Sequence, residues 1–337
     1  MRPMVARAWA LLCVVGLAAC TGSPEVVGSA GGRPGSSDRS TTRSLEQGKG
    51  ARGPSSGEAP ASDGSGSEGP ASPRATQPYE GLGTWIDIYD TGVWEHPVHA
   101  VGSMATHGIR TIYLQSSNYH RNRPFVHPEG VGTIVDAAHR RGLQVVAWYL
   151  PGFRDLTLDL HRAVRTIRFE TESGNGFDSF ALDIESAEVR RPSLRTTRLL
   201  RMSAAIRRAA GAEYPLGAIV ASPDRLVRTD PHFWPGFPWR ELAETYDVLL
   251  PMTYYTYRVK GPRAAARYTA QSVRIIRLQT SGLRVPIHVV GGISFDASGP
   301  ETQGFVDTVM DRDVIGASYY TFPGITVDQW RALSALR

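Results

Sequence analysis

One pattern, repeated eight times, governs what residues 79–337 can fold into. Short runs rich in β-branched and aromatic residues, bounded by Gly, Pro or Asp, alternate with stretches whose apolar residues recur at helical spacing. The strand runs are 84–89, 111–116, 144–150, 179–185, 216–222, 248–254, 287–292 and 315–321. The helical stretches include 131–141, closed by Gly142, and 194–210, apolar at Leu199, Met202, Ala205, Ile206 and Ala209 and followed by Gly211. Two more are 263–280, carrying Tyr268, Val273, Ile276 and Leu278, and 327–336 at the end of the chain. Such alternation specifies a parallel sheet covered by helices. Eight units in about 250 residues have the order and size of a (β/α)8 barrel, the TIM-barrel architecture. The alternative is an open doubly wound sheet. That fold places a Gly-rich phosphate turn after its first strand, where this chain has Asp87-Ile88-Tyr89-Asp90.

The residues before the barrel read differently. Arg2 and Arg7 precede a short apolar stretch, residues 9–19, too short to span a bilayer comfortably. It ends in Leu17-Ala18-Ala19-Cys20, followed by polar Thr21-Gly22-Ser23. That ending resembles the lipobox of bacterial lipoproteins, which implies cleavage after residue 19 and lipidation of Cys20. The alternative is an ordinary secretory signal with a coincidental cysteine. Either reading exports the protein, and the lipoprotein reading anchors it to the cell membrane with the barrel facing the wall or the outside. Residues 20–78 are dominated by Gly, Ser, Pro, Ala and Thr, with almost no apolar residue after Val27. Such a segment cannot bury enough surface to offset its ordering entropy. It reads as a disordered tether with an r.m.s. span of about 40–45 Å. The expected organisation is therefore a signal at 1–19, a tether at 20–78 and a barrel at 79–337. The two cysteines, Cys13 and Cys20, both precede the tether, so the barrel must fold without disulfides.

In such barrels the site is built at the carboxyl ends of the strands. The most informative run is Gly176-Phe177-Asp178-Ser179-Phe180-Ala181-Leu182-Asp183-Ile184-Glu185-Ser186. Strand side chains alternate faces, so Phe180, Leu182 and Ile184 suit the helical layer while Ala181, Asp183 and Glu185 point into the barrel. Two inward carboxylates two residues apart are costly to bury without a task or a partner. Held close, they repel, which raises the pKa of one and suits it to general-acid work near neutral pH. The bland alternative is a pair neutralised by an inward Arg or Lys, and no basic residue stands at a predicted strand end.

The run from Asp178 to Glu185 resembles the D-x-x-D-x-D-x-E strand of family 18 glycoside hydrolases, the chitinases and their relatives. The final D-x-E is intact, but the second Asp of that pattern is Ala181 here. Ala181-Leu182-Asp183-Ile184-Glu185 also resembles the fourth-strand D-x-E of family 25 lysozymes, which use a further Asp on the first strand, a position Asp87 in Trp85-Ile86-Asp87-Ile88 supplies. Met252-Thr253-Tyr254 resembles the M-x-Y of family 18, whose Tyr contacts the substrate acetamido group. The resemblance implies Glu185 as the acid and Asp183 as the residue that orients the 2-acetamido group, which itself attacks the anomeric carbon. Most retaining barrel glycosidases need a second carboxylate about 5 Å away. The seventh strand has none before Asp296, which leaves the substrate, or Asp87 acting across the barrel, as nucleophile.

Other polar groups fall at predicted strand ends. Asp87 shares its parity with Trp85 and Tyr89 and is read as pointing inward. Gln115 and Ser116 end the second run, Tyr149 the third, Ser222 the fifth, Tyr254 and Tyr255 the sixth, Tyr319 and Tyr320 the eighth. Aromatic rings and hydroxyl or amide groups around a cleft are what a sugar stacks on and bonds to. Gln115, Tyr149, Ser222, Met252, Tyr254 and Tyr320 are therefore the expected substrate contacts. Each Tyr reads equally well as a core ring with a satisfied hydroxyl. Trp234 and Trp239 lie in a Pro-rich loop that either walls the cleft or covers the core.

The nine His show no metal-ligand spacing, and H-E-x-x-H, G-x-S-x-G and P-loop motifs are missing. No metal and no cofactor is expected. His288, inside the seventh run, reads as packing. A net charge of +5 is too mild to argue for nucleic acid. Nothing requires more than a monomer. The leading expectation is a glycoside hydrolase acting on an N-acetylhexosamine polymer such as chitin or peptidoglycan. The rivals are a non-catalytic carbohydrate-binding barrel and a glycosidase-like barrel acting on sugars without an acetamido group.

Overall fold

The computed structural model describes residues 76–337. The signal and lipidation expectations, Cys20 included, and the tether up to residue 75 lie outside them. Eight strands form one parallel sheet: β1 (Gly81–Ile86), β2 (Thr111–Asn118), β3 (Gln144–Leu150), β4 (Ser179–Ile184), β5 (Leu216–Val220), β6 (Val248–Pro251), β7 (His288–Ile293) and β8 (Gly316–Tyr320). Their order is β6-β5-β4-β3-β2-β1-β8-β7. The two ends meet through parallel bridges between Leu249 and Ile287 and between Met252 and Val290, with Thr253 N donating to Val290 O at 2.9 Å. That closes the (β/α)8 barrel and leaves no open edge.

Each strand is followed by at least one helix. These are α1 (Thr91–Glu95) and α2 (Pro97–Thr106), α3 (Pro128–His139), α4 (Leu156–Ile167), α5 (Pro192–Ala210), α6 (Trp239–Thr245), α7 (Pro262–Gln279), α8 (Gly299–Met310) and α9 (Val327–Leu333). Pro opens α2, α3, α5 and α7, where its missing N–H costs nothing. Capping boxes open α8, from Ser298 and Glu301, and α9, from Thr326 and Gln329. Among the described residues no helix is long and apolar enough to cross a membrane.

Strand alternation sorts the core into two layers. Leu82, Leu114, Ala147, Phe180, Leu182, Ile184 and Val289 face outward against the helices. Trp85, Tyr113, Val146, Trp148, Ala181, Ile219, Leu250 and Val290 fill the barrel. Each fully buried large side chain contributes about 1.5–3 kcal/mol. The bottom of the barrel is plugged by Tyr79, whose hydroxyl bonds Ser179 Oγ. Gly217 makes room for it, since a Cβ there would lie 2.6 Å from Tyr79 Oη. A polar thread runs through this floor. Trp85 Nε1 donates to Ser318 Oγ at 2.8 Å, and Ser318 Oγ meets His288 Nε2 at 2.9 Å. His288 Nδ1 lies 2.7 Å from Tyr79 O, a carbonyl that can only accept, so the proton sits on Nδ1.

The body begins slightly earlier than residue 79, because Thr76 and Pro78 are already buried. Two strands, β1 and β6, are offset from their predicted bounds by three residues, and the others by two or fewer. β1 ends at Ile86 because Asp87 Oδ1 accepts Tyr89 N at 2.6 Å and Asp90 Oδ2 accepts Asp87 N at 2.9 Å, which turns the chain. β6 ends at Pro251, and Tyr254, at φ 39°, is already in a turn.

Candidate active site

The mouth of the barrel at the carboxyl ends of the strands collects the acidic groups. In β4, Phe180, Leu182 and Ile184 face the helices and Ala181 faces the barrel, so Asp183 and Glu185 project inward from its end. Asp183 is 5% exposed and pairs in register with Ile219 of β5. Its Oδ1 is buried without a hydrogen-bond partner. Burial, then the neighbouring Glu185 charge, push its carboxyl well above the usual carboxylate range. Glu185 lies just past the strand. Burial raises it to about 7, and the Arg225 charge pulls the other way. An acid that holds its proton to near neutrality beside a second carboxylate is what protonating a leaving oxygen requires.

Across the barrel, Asp87 lies in the turn after β1. Tyr320 Oη donates to its Oδ2 at 2.8 Å, and Tyr89 N donates to its Oδ1. Burial raises its carboxyl, and these hydrogen bonds oppose the rise. Burial raises Asp90 further, helped by the Asp87 charge. An arc of rings links this side to β4. Tyr254 and Tyr320 lie 6.1 Å apart between centroids, Tyr320 and Trp85 6.3 Å, and Trp85 and Trp148 5.7 Å. Trp148 is the register partner of Ala181. The Ala181 position is therefore packed by an indole inside the barrel.

The remaining expected substrate contacts divide. Tyr254 and Tyr320 stand in the arc. Met252 is 4% exposed and belongs to the inner layer. Gln115 is buried with its carbonyl oxygen accepting Ile88 N at 3.1 Å, so it braces the turn that carries Asp87. Tyr149 is a correction. It points away from the barrel, and its hydroxyl donates to Asp159 Oδ1 at 2.5 Å and accepts from Arg162 Nη1 at 2.9 Å, both on α4. Ser222 is a second one. Its hydroxyl bonds Tyr268 Oη of α7 at 2.9 Å, which ties the end of β5 to the helical layer. His288 is fully buried in the floor, as its reading as packing requires. Trp234 and Trp239 are also buried and cover the core.

Two arginines escaped the sequence reading because neither stands on a strand. Arg225 opens the short helical turn Arg225–Thr229 after β5 and pairs with Asp230 at 3.1 Å. Arg195, 2% exposed in the first turn of α5, donates to Ser186 O at 3.2 Å, beside Glu185. Its guanidinium lies 4.0 Å over the Trp234 ring. The Pro-rich loop is thus tied, through Arg195, to the backbone that follows Glu185. Among the described residues, no three His, Cys, Asp or Glu side chains converge on a point that would hold a metal ion.

No family model matches the chain, and no curated protein matches it. Its fold is shared with solved structures of low identity. The endo-β-1,4-mannanase from Thermotoga petrophila superposes with a TM-score of 0.58 at 10% identity, over 78% of this chain and 77% of that one. The spore cortex-lytic enzyme SleL of Bacillus cereus gives 0.57 at 11% identity, over 76% and 74%. A chitinase from Rhizomucor miehei gives 0.53 at 11% identity, over 77% and all of that chain. At these identities the likeness is one of fold.

Proposed function

We propose that the barrel is a glycoside hydrolase that cleaves an N-acetylhexosamine polymer, with Glu185 as the general acid. The carrying observation is the inward Asp183–Glu185 pair at the end of β4, in which burial raises Glu185 to about 7 and holds Asp183 well above the usual carboxylate range. That solved barrels of the same fold include a mannanase, a spore cortex-lytic enzyme and a chitinase supports the reaction class.

In this reading Glu185 gives its proton to the glycosidic oxygen as the bond to the anomeric carbon breaks. Asp183 accepts the N–H of the 2-acetamido group and turns its carbonyl oxygen onto that carbon. Water then opens the ring so formed, with Glu185 now taking a proton from it. Asp87 is the other available carboxylate, but its two oxygens already accept from Tyr320 and Tyr89. That favours the substrate over Asp87 as nucleophile. The ring arc of Tyr254, Tyr320 and Trp85 provides apolar faces for the sugar. The proposal extends to location: an exported protein, held at the membrane through Cys20, with the barrel as a monomer.

Reducing-end release from chitin oligomers, peptidoglycan, mannan and glucan, by wild type and Glu185→Gln, tests this reading. Release confined to acetamido sugars and lost in the variant supports it. Release from acetamido-free sugars alone moves the substrate class. Binding without release by either protein makes the barrel a carbohydrate-binding module instead.

A further inference from the structure

A second concavity lies between the loops that follow β2, β3 and β4. It holds about 250 Å3, and its walls include Tyr119, Gly152, Arg154, Leu158 and Glu188. Glu188 is three residues after Glu185 on the same loop, a reach of at most about 10–11 Å of chain.

Its shape is held rather than loose. Phe153 adopts a left-handed conformation with φ 58°, a region β-carbon sterics disfavour. Three contacts impose it. Phe153 N donates to Asp159 Oδ2 at 2.9 Å, Phe153 O accepts from Arg198 Nη1 at 2.7 Å, and the buried ring packs edge-on to Trp234. Asp159 is held in turn by Tyr149, and Arg162 bonds both Tyr149 Oη and the carbonyl of Arg121. This buried trio ties the loop after β3 to the loop after β2. Gly152 lets the loops close up, since a Cβ there would lie 3.0 Å from Tyr119 Cβ. Backbone strain that the surroundings over-determine in this way collects at ligand clamps and active sites.

The lining chemistry narrows the ligand. Arg154 pairs with Glu188 at 3.1 Å and Arg162 with Asp159 at 3.7 Å. Asp155 caps α4 through Leu158 N at 3.0 Å. Three carboxylates thus face two guanidiniums, and the one without a guanidinium, Asp155, is held by the N-terminus of α4, so no anion is called for. The Arg154–Glu188 pair stands at this wall together with the Tyr119 ring and the 40% exposed Leu158 side chain. A pyranose presents the complementary surface, with hydroxyls at its rim and C–H groups on its faces. From this we infer that the concavity is a flanking subsite for one uncharged sugar unit of a glycan whose scissile bond lies at Glu185. The inference rests on the hydrolase reading above and adds to it that the chain prefers long glycans.

Calorimetric titration tests it, with two-unit and six-unit oligomers of N-acetylglucosamine, mannose and glucose. The proteins are Glu185→Gln and the same variant carrying Leu158→Trp or Arg154→Ala. Leu158 is 40% exposed and the Arg154 side chain 70%, so both changes leave the core alone, and a thermal melt checks that. The expected result is a six-unit oligomer that binds about tenfold tighter than its two-unit counterpart, with the gain lost in both added variants. A gain that survives in both folded variants, or no binding by any oligomer, overturns the subsite. The hydrolase reading is judged apart, by wild-type turnover. Lost gain with no turnover sinks only the hydrolase, and turnover with the gain intact sinks only the subsite.

Discussion

Tyr320 donates its hydroxyl hydrogen to Asp87 Oδ2 at 2.8 Å, joining the end of β8 to the turn after β1. Burial raises the Asp87 carboxyl and this bond is the largest influence opposing the rise. Tyr320→Phe should therefore push the Asp87 titration further up. A hydrogen bond to a charged group contributes about 1.5–3 kcal/mol, so stability at neutral pH should fall by about that much or somewhat less. Carboxyl 13C NMR titration and urea unfolding check the two effects. An unmoved Asp87 titration would mean that the bond does not form in solution.

Glu185 must hold its proton to act as an acid, and it is raised to about 7. Activity should therefore fall as pH rises through about 7, and Glu185→Gln should lose about 10²–10⁴-fold in kcat. The same carboxyl costs stability. From its ordinary value of 4.5 up to about 7 the folded state holds a proton that the unfolded state has released. Stability from this group therefore drops as pH rises across that window. Glu185→Gln should melt higher than wild type at about pH 8 and level with it at about pH 4. Calorimetric melts at both pH values decide the matter.

Ala181 stands where the resembling chitinase strand carries a further Asp. It is fully buried in the inner layer, with Trp148 and Gly217 as register partners. Ala181→Asp should not restore a missing catalytic group. It should destabilise the barrel by about 3 kcal/mol or more, the cost of burying a polar group without partners. Urea unfolding reads the loss, and a variant that is as stable as wild type and more active would refute the packing account.

His288 is neutral in the floor, with burial lowering it from 6.5 to about 4. Its contribution is fully present above about 6.5 and is lost as pH falls toward 4, because the unfolded chain takes up the proton first. Glu185 slopes the opposite way in much of this window. His288→Gln should therefore be compared in the Glu185→Gln background, where the acid limb of the melting curve should flatten. An unchanged limb would place the acid sensitivity elsewhere.

The fold and the β4 pair were legible because β4 alternates cleanly, and its parity alone turns Asp183 and Glu185 inward. β3 was not legible in the same way. Val145, Val146, Ala147, Trp148 and Tyr149 are all apolar or aromatic, so nothing in the run says which face is inside. The structure turns Trp148 in and Tyr149 out, to Asp159 and Arg162. Ser222 lies past the last residue of β5, where counting along a strand loses its meaning. Arg195 and Arg225 were out of reach for another reason. They approach Glu185 from a helix and a loop, and only the closed barrel brings those segments to the end of β4.

The alternation in β4 also bears on how such a chain can diverge. Exchanges among apolar residues at 180, 182 and 184 change only how the strand meets the helices. A single inserted or deleted residue between 180 and 185 would reverse the facing of everything beyond it. Asp183 and Glu185 would then lie among the helices and two apolar side chains at the mouth. Homologues that keep the reaction should therefore vary among apolar residues at 180, 182 and 184 and never in strand length. A length change in this segment would mark a lineage that has given the chemistry up.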